Sequence, residues 1–152
     1  YDSKFDIAKL SNIKNDAIKS ILSAKLLEAQ NRGISISVEI EEPVSNFRIE
    51  LLDFITVLSV LCDNAIEATI EAISPRMTVA FMNNDDSLVL IVEIKSEKVD
   101  VSHIFARGYS SKGEGRGLGL HNVNSILEKY PKSTITTRSA NHLFSQTIRF
   151  CK

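Results

Sequence analysis

The sequence predicts a two-layer α/β sandwich, with helices on one face of a mixed, mostly antiparallel sheet. Three observations lead there. Apolar residues recur at helical spacing in three separated stretches, short alternating runs lie between and after them, and one pair of runs is joined by turn-forming residues into a hairpin. With 152 residues and 43% hydrophobic content the chain can bury one core. No shift of composition marks a boundary, so residues 1–152 read as a single domain.

The opening third reads as one long helix. Leu10, Ile13, Ala17, Ile21 and Ala24 form a stripe, Ile18, Leu22, Leu26 and Ala29 lie beside it, and Gly33 ends it. Ile34, Ile36, Val38 and Ile40 alternate as a half-buried strand that stops at Glu41-Glu42-Pro43. A second helix is expected from about Glu50 to Ile73. Its apolar residues, from Leu51 and Leu52 to Val60 and Leu61, nearly surround it, which places it at the centre of the core. Ser74-Pro75 breaks it.

Met77, Val79 and Phe81 then alternate, Asn83-Asn84-Asp85-Asp86 supplies turn chemistry, and Leu88 to Ile94 returns as the second strand of a hairpin. The least regular stretch, Lys95 to Gly115, reads as a mobile lid. Leu118, Leu120, Val123, Ile126 and Leu127 resume helical spacing up to Tyr130-Pro131. Two short strands, Thr134 to Arg138 and Leu143 to Phe150, close the chain around Ser139-Ala140-Asn141-His142.

Eighteen Lys and Arg stand against nineteen Asp and Glu, a formal charge of −1. That balance exerts no overall pull on nucleic acid or anionic lipid, so no nucleic-acid partner is expected and any phosphate binding needs locally placed cations. The stretch from Arg107 to Lys132 has such an excess. Cys62 and Cys151 fit neither a disulfide framework nor a zinc site, which points to a reduced cytoplasmic setting. No apolar run approaches a membrane span and Tyr1-Asp2-Ser3-Lys4 has no signal-peptide character, so for a membrane-bound parent the membrane part is expected outside this chain.

Two short stretches carry the chemistry. Leu61-Cys62-Asp63-Asn64-Ala65-Ile66-Glu67-Ala68 sets an amide in an apolar helix. Magnesium takes few protein oxygens and the rest from substrate phosphates, so Asn64 alone suffices as its protein ligand. A neutral amide also avoids placing another negative charge beside a triphosphate. As a bland alternative, Asp63 and Asn64 mark only the polar seam of a helix.

Ser110-Ser111-Lys112-Gly113-Glu114-Gly115-Arg116-Gly117-Leu118-Gly119-Leu120 supplies closely spaced backbone N–H groups and two cations, Lys112 and Arg116, at a helix start, where phosphate oxygens are favoured. The bland alternative is a flexible loop. A dinucleotide fingerprint is argued against by the spacing G-x-G-x-G and by the lack of an early strand–turn–helix unit. The phosphate-loop pattern, with Lys-Ser or Lys-Thr after the last glycine, is also missing.

Asp63-Asn64-Ala65-Ile66-Glu67-Ala68 and the Ser111 to Leu120 ladder resemble the N box and G2 box of the GHKL (Bergerat) ATP-binding fold. The variant is similar to the peptide-pheromone quorum-sensing histidine kinases of Gram-positive bacteria, the AgrC and ComD type. Lys25 to Ile40 resembles the segment that opens their catalytic domain. The resemblance implies that Asn64 holds Mg2+, that Lys112 and Arg116 meet the phosphates of ATP, and that Gly113, Gly115, Gly117, Leu118 and Gly119 wrap the phosphate chain through their backbones. It places Ala68 facing the nucleotide and Ile104-Phe105 at the base of the lid.

The chain departs from that pattern at three points. Hydrolysing members of the fold carry a glutamate one turn before the asparagine; here the residue is Val60, which implies slow hydrolysis and a nucleophile from elsewhere. Many sensor kinases carry lysine three residues after the asparagine, where this chain has Glu67. The adenine-contacting D-x-G-x-G is replaced by Lys95-Ser96-Glu97, leaving Ser96 as the candidate for that contact.

His103, His121 and His142 lack the setting of a phosphoacceptor, which is expected upstream of Tyr1 on a dimerisation domain. The expected activity is therefore the catalytic half of a membrane-anchored, cytoplasmic-facing histidine kinase, with its own dimerisation and phosphoacceptor domain and a cognate response regulator as partners. The fragment alone should show little activity. The alternatives are an anti-sigma serine kinase and a degenerate docking scaffold without ATP turnover.

Overall fold

The computed structural model describes residues 8–70, 72–97 and 113–151, with side chains in the last stretch described from residue 119. After a short 3-10 turn at Lys9–Asn12 come α1 (Asp16–Asn31), β1 (Ser35–Ile40), α2 (Leu51–Glu67), β2 (Arg76–Asn83), β3 (Ser87–Lys95), α3 (Gly113–Glu128), β4 (Ser133–Ala140) and β5 (Leu143–Cys151). The strands form one sheet in the order β1-β2-β3-β5-β4. β1 and β2 are parallel and all other neighbours antiparallel. The helices pack on one side, with α2 between α1 and α3 and over β3 and β5, so the expected two-layer α/β sandwich is the fold observed.

The first helix is shorter than its periodicity suggested. Ile13 is extended and bridges Val44, and α1 starts only after Asn15, whose Oδ1 accepts from the Ile18 N–H at 3.0 Å. Only the stripe Ile18, Leu22, Leu26 and Ala29 is buried, while Ala17 and Ala24 are exposed. Leu10 and Ile13 join the core from outside the helix. At the other end Gly33 adopts φ +85°, its N–H reaches the Gln30 carbonyl at 2.9 Å, and Ile34 N–H reaches that of Ala29 at 3.1 Å. This left-handed cap turns the chain directly into β1.

α2 buries Phe54, Val57, Leu58, Leu61 and Ala65 in one stripe, as its composition demands, although Leu52 at its start is 76% exposed. Beneath its first turns Phe54 packs 4.9 Å from Phe47, 5.5 Å from Phe150 and 6.3 Å from Phe81, centroid to centroid. α2 ends at Glu67, well before the expected Ile73. Thr69 returns its hydroxyl to the Ile66 carbonyl at 2.6 Å, and the next N–H groups reach back three residues, not four, so the helix closes in tight turns.

The hairpin of β2 and β3 forms as expected, its turn held by Asn84, whose Oδ1 accepts from the N–H and hydroxyl of Ser87. Asn141 and His142, both with positive φ, make the two-residue turn between β4 and β5. α3 begins at Gly113, earlier than the apolar spacing implied, and so includes the glycine ladder. Just past its end Tyr130 donates to Asp53 Oδ2 at 2.6 Å and accepts from the Glu50 N–H, while Lys129 lies 2.9 Å from the same carboxylate oxygen. These contacts fasten the C-terminal end of α3 to the first turn of α2. The lid expected over Lys95 to Gly115 falls largely on residues 98–112, outside the described residues, as do Ile104-Phe105 and His103.

Candidate functional site

The helical layer encloses a cleft of about 460 Å³. α1 contributes Lys25, Glu28 and Arg32, the second half of α2 contributes Val60, Asp63, Asn64 and Glu67, and α3 contributes Gly119. The two motifs fifty residues apart in sequence therefore meet, at Asn64 and Gly119, on one concavity.

Asn64 belongs to the core-facing side of α2, one turn beyond Leu61, and is 3% exposed. An amide there needs partners, because a buried polar group left unbonded is costly. Gln146 of β5, 2% exposed, provides one: Asn64 Nδ2 donates to its Oε1 at 3.0 Å, and Gln146 Nε2 donates onward to Thr137 Oγ1 at 3.3 Å. Nδ2 is thereby committed to the sheet, and the residue is one of those that line the cleft.

The opposite wall is α3. A Cβ added at Gly119 would sit 3.4 Å from Val60 Cγ1 and 3.7 Å from Cγ2, so the two helices approach closely. Val60 thus presents hydrocarbon to the cleft one turn before Asn64.

The charged groups are distributed around this rim. Lys25 Nζ lies 2.7 Å from Asp63 Oδ1. Burial works to lower the Lys25 pKa, but the hydrogen bond and charge of Asp63 outweigh it, and the ammonium is held above its ordinary value. Arg32 and Glu28 form an exposed pair at 3.5 Å. Cys62, fully buried beside Asn64, has its thiol pushed up to about 12, mainly by burial, which makes it packing and not a nucleophile.

The other expected site residues are placed as follows. Lys112 lies outside the described residues. Gly113, Gly115, Arg116, Gly117 and Leu118 form the first turns of α3, their backbone helical and their side chains outside the description. Ala68 is wholly buried at the C-terminal cap of α2, its N–H bonded to the Asn64 carbonyl at 3.0 Å, and does not line the cleft. Ser96 lines a different recess, with Arg138 and His142, and its buried hydroxyl has no hydrogen-bond partner among the described residues.

Gln146 and the Lys25–Asp63 pair were not singled out from the sequence. Gln146 did leave a signal: it is the polar member of the inward-facing series Phe144, Gln146, Ile148, Phe150. The ion pair left none, because its partners are 38 residues apart.

Residues 49–151 match the GHKL domain family. The chain is 31% identical over 127 residues to the sensor protein CitS of Bacillus subtilis, covering 78% of this chain and 23% of CitS. It is 30% identical over 144 residues to the sensor histidine kinase DcuS of Escherichia coli, covering 90% of this chain and 26% of DcuS. The chain thus spans about a quarter of the length of these relatives. Its fold superposes on the nucleotide-free catalytic domain of histidine kinase ThkA with a TM-score of 0.67 at 20% identity, over 91% of this chain and 92% of that one. A mycobacterial sensor histidine kinase, MprB, superposes with a TM-score of 0.61 at 16% identity, over 87% and 93%. The chain belongs to the GHKL domain family, and its counterparts there are catalytic domains of sensor histidine kinases.

Proposed function

We propose that the chain binds ATP with Mg2+ in the cleft at Asn64 and donates the γ-phosphoryl group to a histidine on a dimerisation domain outside this chain, from which a response regulator takes it. One observation carries the reading: Asn64, buried in α2 with its Nδ2 tied to Gln146, lines the cleft that Gly119 closes from the other side, so its Oδ1 would be the acceptor the amide has left to offer there.

A hard oxygen on a neutral side chain fits a magnesium ion, and Asn64 would be the residue that holds it. When bound, the ion would neutralise charge on the phosphate chain. The described rim carries Glu28, Asp63 and Glu67 against Lys25 and Arg32, so a triphosphate needs further positive charge there. Lys112 and Arg116 are proposed to bring it, with the backbone N–H groups of Gly113, Gly115, Gly117, Leu118 and Gly119 meeting phosphate oxygens. Ala68 is retained as a proposed nucleotide contact on the strength of the resemblance alone, and Ser96 only because it stands where the missing adenine-contacting motif would be.

Catalysis in this reading consists of positioning and charge neutralisation. Val60 offers no group to activate water, so ATP persists in the cleft until an acceptor imidazole reaches it. No described helix is long and apolar enough to cross a membrane, and the proposed setting is the cytoplasmic side of a membrane-anchored bacterial kinase. The finer assignment, to a peptide-pheromone quorum-sensing system, rests on the sequence resemblance alone.

Calorimetric titration with Mg-ATP tests the proposal. Binding at millimolar or tighter affinity, without labelling of the chain by γ-labelled ATP, is the expected result. Silence across that range from a folded chain would favour a docking scaffold, and phosphate on a histidine of this chain would contradict the assignment of the acceptor.

A further inference from the structure

We propose that Lys25 of α1 is a phosphate-binding residue of this cleft, supplying from the neighbouring helix the cation that α2 lacks at Glu67. The inference rests on the nucleotide reading above. A polyanion entering beside Asn64 meets three carboxylates on the described rim, Glu28, Asp63 and Glu67, and its described cations are only Lys25 and Arg32. Arg32 is the cap residue at the C-terminal end of α1, its side chain 58% exposed and paired back along the helix with Glu28. Lys25 is different. Its side chain is only 21% exposed, so packing confines the stem, and its ammonium is held 2.7 Å from Asp63, the residue immediately before Asn64. The charge is therefore stationed one residue from the amide that would hold the metal.

Its present partner is easily exchanged. The Asp63 side chain is 55% exposed, and an ion pair with one partner so far in water contributes little. A phosphate chain offers more negative charge and several acceptor oxygens to the same ammonium, and lysine binds phosphate as a compact point charge with three rotatable donors. Asp63 holds the lysine beside Asn64 and gives it up to the phosphates of an arriving nucleotide, turning back to solvent.

Titration of the 152-residue chain with Mg-ATP, with Lys25→Met and Asp63→Asn alongside the wild type, separates this from a merely structural ion pair. Methionine keeps an unbranched stem and helix propensity, so the unliganded thermal midpoint should stay within a few degrees. Lys25→Met should weaken Mg-ATP at least tenfold, whereas Asp63→Asn, which frees the ammonium, should leave affinity unchanged or raise it. Equal losses in both variants, or Lys25→Met binding like the wild type, would overturn the inference while leaving the nucleotide reading intact. A wild type that binds no nucleotide overturns both. Should Lys25→Met fail to fold, the Asp63→Asn arm still decides, since a loss of tenfold there is incompatible with the proposal.

Discussion

The two walls of the cleft are held by opposite means. On the α2 side Asn64 is immobilised by a hydrophobic stripe on its own helix and by the Gln146 amide beneath it. On the α3 side four of the seven residues from Gly113 to Gly119 are glycine, each about 1 kcal/mol less favourable in a helix than alanine. One wall is fixed before any ligand arrives. The other is helical but, by its glycine content, only weakly committed to being so. In the proposed function the two tasks, placing a metal and wrapping a phosphate chain, would make separate demands, rigidity for the first and backbone freedom for the second.

That contrast can be broken most severely at Asn64. Asn64→Ala should lower Mg-ATP affinity by about 100-fold or more, and it should also cost about 1–3 kcal/mol of stability because Gln146 loses its buried donor; titration calorimetry and urea unfolding read the two effects. Gln146→Leu acts through the same bond from below. It should destabilise the fold by about 1–3 kcal/mol and weaken Mg-ATP by about tenfold, since the Asn64 amide is no longer oriented. Unchanged affinity in a folded Gln146→Leu variant would show that Asn64 needs no support from the sheet.

On the other wall, Gly117→Ala should move the two readouts in opposite directions: up to about 1 kcal/mol more stable in unfolding experiments, yet at least about tenfold weaker for Mg-ATP. A variant that gains stability and keeps its affinity would mean the ladder binds as a preformed helix. The smallest effect belongs to the far end of α3. Tyr130→Phe removes a hydrogen bond to a carboxylate and should cost about 1–2 kcal/mol with little change in affinity.

The hydrogen bond from Tyr130, and then Lys129, holds the Asp53 carboxyl below its usual range. A depressed acid stabilises the fold above its unfolded pKa of about 4 and loses that contribution as pH falls through the lower folded value. Asp53→Asn should therefore be less stable than wild type near neutrality, and the gap measured by urea unfolding should narrow as the pH falls below the ordinary carboxylate value of about 4.

Most of the fold was legible because periodicity reports burial directly. The strands β1 and β2 follow alternations visible in the chain, β3 is a continuous apolar run returning from a turn, and Gly33 and Asn141-His142 turn where the sequence breaks its runs. The boundaries of the helices were less so. Leu10 and Ile13 mimic a helical stripe but are buried from a 3-10 turn and a bridge, and the apolar Ile70 and Ile73 hide the tight turns with which Thr69 closes α2. Of the site, Asn64 and the glycines could be read because their chemistry is local to a motif. Gln146 and Lys25 could not be assigned roles, because each acts through a partner that only the tertiary packing supplies.

The fastening of Tyr130 and Lys129 to Asp53 makes α3 a lever with one anchored end. Its 16 residues amount to an arm of about 24 Å. Pivoting such an arm by about ten degrees sweeps its glycine tip through roughly 4 Å while the anchored hydrogen bonds scarcely lengthen. That stroke is comparable to the width of a phosphoryl group, and Val123 and Leu127, buried in the core from the same helix, would shift with it by less the nearer they lie to the anchored end.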